Sequence, residues 1–380
     1  MKICQIGTIG FKSSENKREI KTIGGIQGYI LDLVQHILSS GHNLIFVGKI
    51  YFYKDVEDLE YIEVQKKVTS TNKFLINLFY KSFFMKLKSD TVIHAHRPDH
   101  LFVFTFFRRK NPSVLTIHGQ QAVTVNLRKK LMVRKLYSFM EKGAIKRADY
   151  ILATDKITQR YYEKHYPKYK SKISVSPTGV NLELFRPMDK TACRLEQNIS
   201  ETAKVILYLG RVEAPKRVKD IVEAFALLKK SKSDVKLIIV GDGNDLPEIK
   251  SFVKKEQIDQ DINFMGAVMR ENLPTIINCA DISVLYSYNE GSPLSVKESL
   301  ACGIPVIANP VGDVSEVIAD KYNGFIFNGQ TNEELSDLFS TALNSAEELK
   351  ENCILSVKPF SKEAVFSNLI DIYKKLSSEK

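Results

Sequence analysis

Two glutamates, Glu290 and Glu298, stand in E-x7-E spacing within NEGSPLSVKESLACGIP, residues 289–305, a stretch otherwise composed like a short buried helix. Each ionised carboxylate accepts two or more O–H donors, so a pair aimed at one crevice suits a ligand rich in hydroxyls. Leu294, Glu298 and Ala301 fall at helical spacing on one face, which puts Glu298 among apolar residues. Ser292 is the expected cap, Pro293 the expected first helical residue, and Gly303 followed by Pro305 the expected stop. Glu290, with Gly291 beside it, falls in the turn leaving an expected strand at 281–288, at the edge of a parallel sheet where ligands usually bind. The plainer alternative is a helix-favouring glutamate and a loop glutamate facing water.

Cations and glycines mark further strand ends. In VILYLGRVEAPK, Arg211 lies just beyond a strand and Lys216 follows five residues later. Two cations at a strand edge can neutralise a diphosphate without a metal, although single surface cations are common. Gly24 and Gly25 precede the first long helix, whose bare N–H groups could hold a phosphate. Gly241, in VGDG, marks another strand end. His94 and His96 form an HxH that could be half of a metal site, but no histidine follows His165 and no carboxylate cluster has ligand spacing. His118, in SVLTIHG, ends a strand with Gly119 behind it, open to a crevice or held as a structural histidine. Asp259 and Asp261 have the letters of a DxD, yet precede the strand INFMG beside a lysine-rich helix and read as a surface turn. GTIGFK and VGDGND both lack the full GxGxxG spacing.

The elements that must position these residues follow from alternating β-rich runs and amphipathic stretches. KICQIG, a helix over 26–39, NLIFVG, TVIHAH, SVLTIHG, a helix over 127–146, YILAT and KISVSP form one series. VILYLG, a helix over 218–230, KLIIVG, INFMG, DISVLY and PVIAN form a second. Two βα series predict two doubly wound domains in the α/β class. The break falls near 176–187, giving domains at 1–178 and 179–357, with an amphipathic closing helix at 358–380. The 380 residues, 44% apolar and 26% charged, suit two globular domains. No apolar run approaches the roughly 18 to 20 residues of a membrane span, and a cytoplasmic chain is expected. Five scattered cysteines without CxxC spacing predict reduced, buried thiols.

The formal charge of +11 is unevenly spread: residues 71–172 hold 22 Lys/Arg against 6 Asp/Glu, so the rest of the chain is slightly acidic. A basic half of this kind fits an anionic membrane, a nucleic acid or a phosphorylated substrate, or serves solubility alone. Residues 72–89, NKFLINLFYKSFFMKLKS, interleave aromatics with four lysines, as expected of an interfacial helix. The alternative is that these aromatics pack into the first core.

Across nearly the whole chain these motifs resemble the family 4 retaining glycosyltransferases of GT-B fold, which implies two Rossmann-like domains facing across a cleft, the first closed by the C-terminal helix 358–380. The likeness is carried by GGIQGYILDLVQHILSSGHNL, TIHG, SPTGVNLELFRP, LGRVEAPK, VGDGNDLPEI and the E-x7-E segment followed by ACGIPVIANPVGD. It implies that a UDP- or GDP-sugar is the donor, with no metal and no other cofactor. By resemblance Glu298 holds the ribose, Glu290 contacts the transferred hexose, and Arg211 and Lys216 clamp the diphosphate. Gly24 and Gly25 would close on that diphosphate and His118 would line the sugar pocket, while Gly241, Gly291 and Leu294 complete the donor contacts. The acceptor would be a glycan or lipid-linked sugar in envelope polysaccharide or glycoconjugate synthesis, reached by peripheral contact with the inner face of the cell membrane and without nucleic acid. Arg217 departs from the family, which often has a small residue after the lysine, and puts the local loop shape in question. A sugar-nucleotide epimerase of the same architecture and a non-catalytic nucleic-acid or anionic-surface binder remain the alternatives.

Overall fold

The computed structural model describes residues 1–8, 25–49, 59–64, 71–108, 110–119 and 131–379. The chain divides into two compact units. The first holds the N-terminal strand and 25–179 and takes back 362–380; the second holds 180–361. In the first, β1 (Lys2–Thr8), β2 (Asn43–Lys49), β3 (Leu59–Glu63), β4 (Val92–Ala95), β5 (Ser113–Ile117), β6 (Tyr150–Ala153) and β7 (Ile173–Val175) form a parallel sheet of order β3-β2-β1-β4-β5-β6-β7. In the second, β8 (Lys204–Leu209), β9 (Val235–Val240), β10 (Ile262–Gly266), β11 (Ile282–Leu285), β12 (Val306–Ala308) and β13 (Gly324–Ile326) form another, of order β10-β9-β8-β11-β12-β13. Strands β4, β5, β11 and β12 are buried at every residue, which is why they read as largely apolar runs: helices cover both faces of a parallel sheet. Strand order reverses between β1 and β4, and between β8 and β11. Those two reversals open the crevices in which α/β sheets bind ligands.

The closing helix is Lys362–Ser378. Val365, Phe366, Leu369, Ile370, Tyr373 and Leu376 share a core with Ile3 of β1 and with Tyr29 and Leu33 of the helix Gly25–Ser39. Each buried side chain of this size contributes about 2 kcal/mol, so the returning helix is part of the first unit's core. The return begins at Lys362, four residues later than the expected 358. Gly179 admits it: a Cβ there would lie 2.8 Å from the Lys362 Cα. One residue on, Val180 N–H donates to the Phe360 carbonyl at 2.8 Å. The helix expected over 127–146 is seen as Leu131–Arg147, its first four residues lying outside the described ones.

Candidate functional site

In the second unit the crevice between β8 and β11 is built by close approach of main chain. Gly241 has φ +137°, and a Cβ on it would stand 1.8 Å from the Gly210 carbonyl oxygen. A Cβ on Gly243 would meet the Val212 carbonyl at 2.0 Å. Only glycine fits such an approach, and Val212 N–H then donates to the Asp242 carbonyl at 3.0 Å. The loop after β9 thus fixes the loop after β8. The buried Tyr208 hydroxyl donates to the Arg211 carbonyl at 2.7 Å, setting that residue's main chain. The Arg211 side chain remains 59% exposed and pairs with Glu213 at 2.8 Å.

Lys216 closes a 3-10 turn, Ala214–Lys216. The chain reverses at Arg217, which has φ +47°, a left-handed conformation rare for a long side chain. Its guanidinium lies 3.7 Å from the Tyr286 ring centroid and pairs with Asp220 at 2.7 Å, contacts that offset the backbone cost. The residue that departs from the family is therefore built into the turn. Across the crevice, Tyr288 N–H donates to the Pro215 carbonyl at 2.9 Å. The Lys216 amine donates to Glu290 Oε1, which also accepts the Ser287 hydroxyl at 3.0 Å. Asn309, at the end of β12, holds Ser287 through both its main-chain groups, at 2.9 and 2.8 Å.

The following helix, Leu294–Ala301, begins one residue later than expected, with Pro293 and not Ser292 in the capping position. The Ser292 hydroxyl is spent on Asp313 Oδ2, at 2.5 Å. Gly303 has φ +79° and ends the helix as expected. Leu294 and Glu298 are buried, and Glu298 faces Arg270 at 3.5 Å. The two glutamates are therefore held by different cations, Glu290 by Lys216 and Glu298 by Arg270. Gly291 is pinned from behind: its carbonyl accepts from Asp313 N–H at 2.9 Å, and Gly312 lies so close that a Cβ would sit 1.8 Å from the same oxygen. Arg270, Lys297 and Asn309 carry no local signal that singles them out, whereas Asp313 is marked by the PVGD motif that it ends.

In the first unit His118 follows β5 and is partly buried. Its Nε2 lies 3.3 Å from His96 Nδ1, and His96 Nε2 lies 2.9 Å from Gln5 Oε1. His94 Nδ1 sits 2.5 Å from the Tyr373 hydroxyl and its Nε2 2.8 Å from Thr116 Oγ1. The Tyr29 ring meets His96 and His118 edge-on. Burial holds these imidazoles neutral: His94 and His118 are pushed down to about 3 and His96 well below its ordinary value. Gly25 opens the helix Gly25–Ser39 with open space around it. Gly24 lies outside the described residues.

Among the described residues no group of three or more His, Cys, Asp or Glu side chains could hold a metal ion. Asp261 pairs with Lys229 and Lys236, and all five cysteines are free and buried. The helix expected over 72–89 runs only over Thr71–Phe84. Its aromatics divide: Phe79 packs on Phe106 and Phe107, while Tyr80, Phe83 and Phe84 are exposed, Phe84 by 75%. The helix Leu131–Arg147 likewise exposes Met132, Leu136 and Phe139 beside Lys135 and Lys142. No described helix is long and apolar enough to cross a membrane.

A family model described as "Glycosyl transferases group 1" matches residues 189–358, and one described as "Glycosyltransferase Family 4" matches residues 23–184. The D-inositol 3-phosphate glycosyltransferase of Segniliparus rotundus is 27% identical over 272 residues, 69% of this chain and 61% of its own length. The alpha-monoglucosyldiacylglycerol synthase of Acholeplasma laidlawii is 25% identical over 374 residues, 92% of this chain and 93% of its own. The match thus spans less than two thirds of the first relative and nearly all of the second. Among solved structures, sucrose-phosphate synthase from Thermosynechococcus elongatus superposes with a TM-score of 0.83 at 20% identity, covering 100% of both chains. HepE of Anabaena, in complex with UDP-glucose, superposes with a TM-score of 0.76 at 16% identity, covering 99% of this chain and 100% of its own.

Proposed function

This chain belongs to the GT-B glycosyltransferases of group 1 and family 4, and from that premise we propose that it moves a hexose from a UDP- or GDP-sugar, with retention and without a metal, onto a glycan or lipid-linked acceptor of the cell envelope. The observation that carries the donor reading is the joining of Lys216 to Glu290 where strand order reverses, with Arg211 on the same loop as Lys216. The structural neighbour solved with UDP-glucose supports the donor class.

In this reading the donor diphosphate takes the amine of Lys216 and the guanidinium of Arg211, which gain strength as the leaving group gains charge. Lys216 then exchanges Glu290 for phosphate, and the freed carboxylate accepts a hydroxyl of the hexose. Glu298, held by Arg270, accepts from the ribose, with Gly291 and Leu294 lining its approach. Gly241 contributes by fixing the Arg211 loop. His118 is carried from the resemblance as a sugar contact, and Gly24 and Gly25 as phosphate contacts. The acceptor oxygen bonds to the anomeric carbon as the bond to the diphosphate breaks on the same face, and the acceptor's proton passes to a departing phosphate oxygen. This path needs no protein nucleophile.

For the acceptor, the exposed aromatic residues and lysines of Thr71–Phe84, joined by those of Leu131–Arg147, support peripheral contact with an anionic membrane face on the cytoplasmic side. The synthase of Acholeplasma laidlawii bears a lipid in its name, which accords with a lipid-linked acceptor.

The test is thermal-shift titration with UDP-, GDP- and ADP-sugars on the wild type, Glu298→Ala and Lys216→Ala. A ligand at a hundred times its Kd adds about 2.7 kcal/mol of stability. One nucleotide class should stabilise the wild type and lose that effect in both variants. No shift with any sugar nucleotide would overturn the donor reading.

A further inference from the structure

Immediately before Glu298 lies a lysine whose burial the proposed donor contacts do not explain. The Lys297 side chain is 0% exposed. Its amine donates to Asp313 Oδ2 at 2.7 Å and to the Ser292 hydroxyl oxygen at 2.5 Å, and rests 5.0 Å from the centre of the Phe360 ring. Ser292 in turn donates to the same Asp313 oxygen at 2.5 Å. Three separate pieces of chain thus meet in one desolvated polar knot: the loop carrying Glu290, the helix Leu294–Ala301 and the turn at Asp313.

A lysine and an aspartate removed from water gain little over an apolar pair of the same shape, so the charge is poorly explained as a source of stability. Its geometric effect is definite. The knot grips Ser292, while Asp313 N–H and the close-lying Gly312 grip the Gly291 carbonyl. Both residues directly follow Glu290, whose own carboxylate is held by Lys216 and Ser287.

We propose that Lys297 is a positioning residue: acting through Ser292 and Asp313, it holds the main chain of the Glu290 loop where that carboxylate meets the transferred sugar. The proposal rests on the donor reading above for its kinetic consequence and on the hydrogen-bonded knot for its structural one. The groups proposed to hold the diphosphate and ribose have partners of their own, Arg211 with Glu213, Lys216 with Glu290 and Glu298 with Arg270, so donor binding should survive loss of the knot while turnover should not.

Two variants test it, each measured for transfer and for amide hydrogen exchange without donor. Ser292→Ala removes one tether and leaves Lys297 paired with Asp313; Lys297→Met removes the charge at similar length. Per folded molecule, both should lower kcat at least tenfold with the donor KM within about threefold of wild type. The amides of residues 290–292 should exchange faster in both, with β8 unchanged as the internal control. Wild-type kcat in folded Ser292→Ala overturns the proposal, as does a kcat loss in Lys297→Met that only tracks its lost folded fraction. If no sugar nucleotide binds the wild type, the donor reading fails alone and the exchange arm still decides: unchanged amide exchange at 290–292 in Ser292→Ala overturns the tether.

Discussion

Glu290 receives the Lys216 amine and the Ser287 hydroxyl on one and the same carboxylate oxygen. Lys216 comes from the turn after β8 and Ser287 follows β11, so the loops after the two strands flanking the reversal of strand order meet on this oxygen. Replacing that carboxylate by an amide keeps the shape and removes the charge. Glu290→Gln should therefore bind the sugar nucleotide within about threefold of wild type and lose roughly a hundredfold in kcat, because the missing charge acts on the developing transition state. Steady-state kinetics with the donor identified by thermal shift would check this; an unchanged kcat would remove Glu290 from the reaction centre.

The imidazoles of His94 and His96 are buried and kept neutral, with folded values far below the unfolded 6.5. Between pH 6.5 and those depressed values the unfolded chain binds more protons than the folded one. Stability therefore rises with pH across that window and is lost as pH falls below 6.5. Each group contributes about 1.4 kcal/mol per pH unit, or about 2 kcal/mol by pH 5. Chemical denaturation from pH 7.5 to 5 should show this slope, and His94→Asn should make it shallower by about one proton.

Gly241 and Gly266 both have positive φ, yet substitutions there should differ sharply. A Cβ at Gly266 meets nothing within 4 Å, so Gly266→Ala should cost only about 1 kcal/mol for its backbone. At Gly241 the Cβ would collide with the Gly210 carbonyl. Gly241→Ala should lower Tm by many degrees more and weaken donor binding through the displaced Arg211 loop. Equal Tm values for the two variants would contradict the close packing of these loops.

Arg217 separates backbone strain from side-chain stacking. Glycine relieves the left-handed strain while losing the Tyr286 stack, whereas alanine keeps the strain and loses the same contacts. Arg217→Gly should thus be more stable than Arg217→Ala by about 1 kcal/mol. Urea midpoints for the pair would decide; the reverse order would mean the turn relaxes when the guanidinium goes.

Phe83 and Phe84 are exposed on a lysine-bearing helix. In vesicle sedimentation at low salt the wild type should favour anionic over zwitterionic lipid, and salt should weaken the binding. The double variant Phe83→Ser, Phe84→Ser should lose at least fivefold in the bound fraction, since each inserted ring contributes about 2 kcal/mol. Indifference of the wild type to lipid charge would end the membrane reading.

Much of this protein could be read along the chain because its signals are local. Two series of apolar strands and amphipathic helices define two doubly wound units, and the order of Gly210, Arg211, Lys216, Glu290 and Glu298 follows from loops next to strand ends. The alternatives weighed against transfer, an epimerase or a non-catalytic binder, gave way to membership of the glycosyltransferase family. Other roles depended on contacts between distant segments. Gly241 reads as a strand-end marker and, by resemblance, a donor contact, but its φ and the Gly210 oxygen show a packing requirement. Ser292 has the letters of a helix cap, yet its hydroxyl is engaged by Asp313. A lysine within a helix is expected in water, and Lys297 is buried because a turn sixteen residues away supplies its partner. Periodicity, turn chemistry and motif order are written in neighbouring residues, and the sequence determines them unaided. Desolvation and close approach arise only when separate segments occupy the same few ångströms, so those the tertiary structure decides.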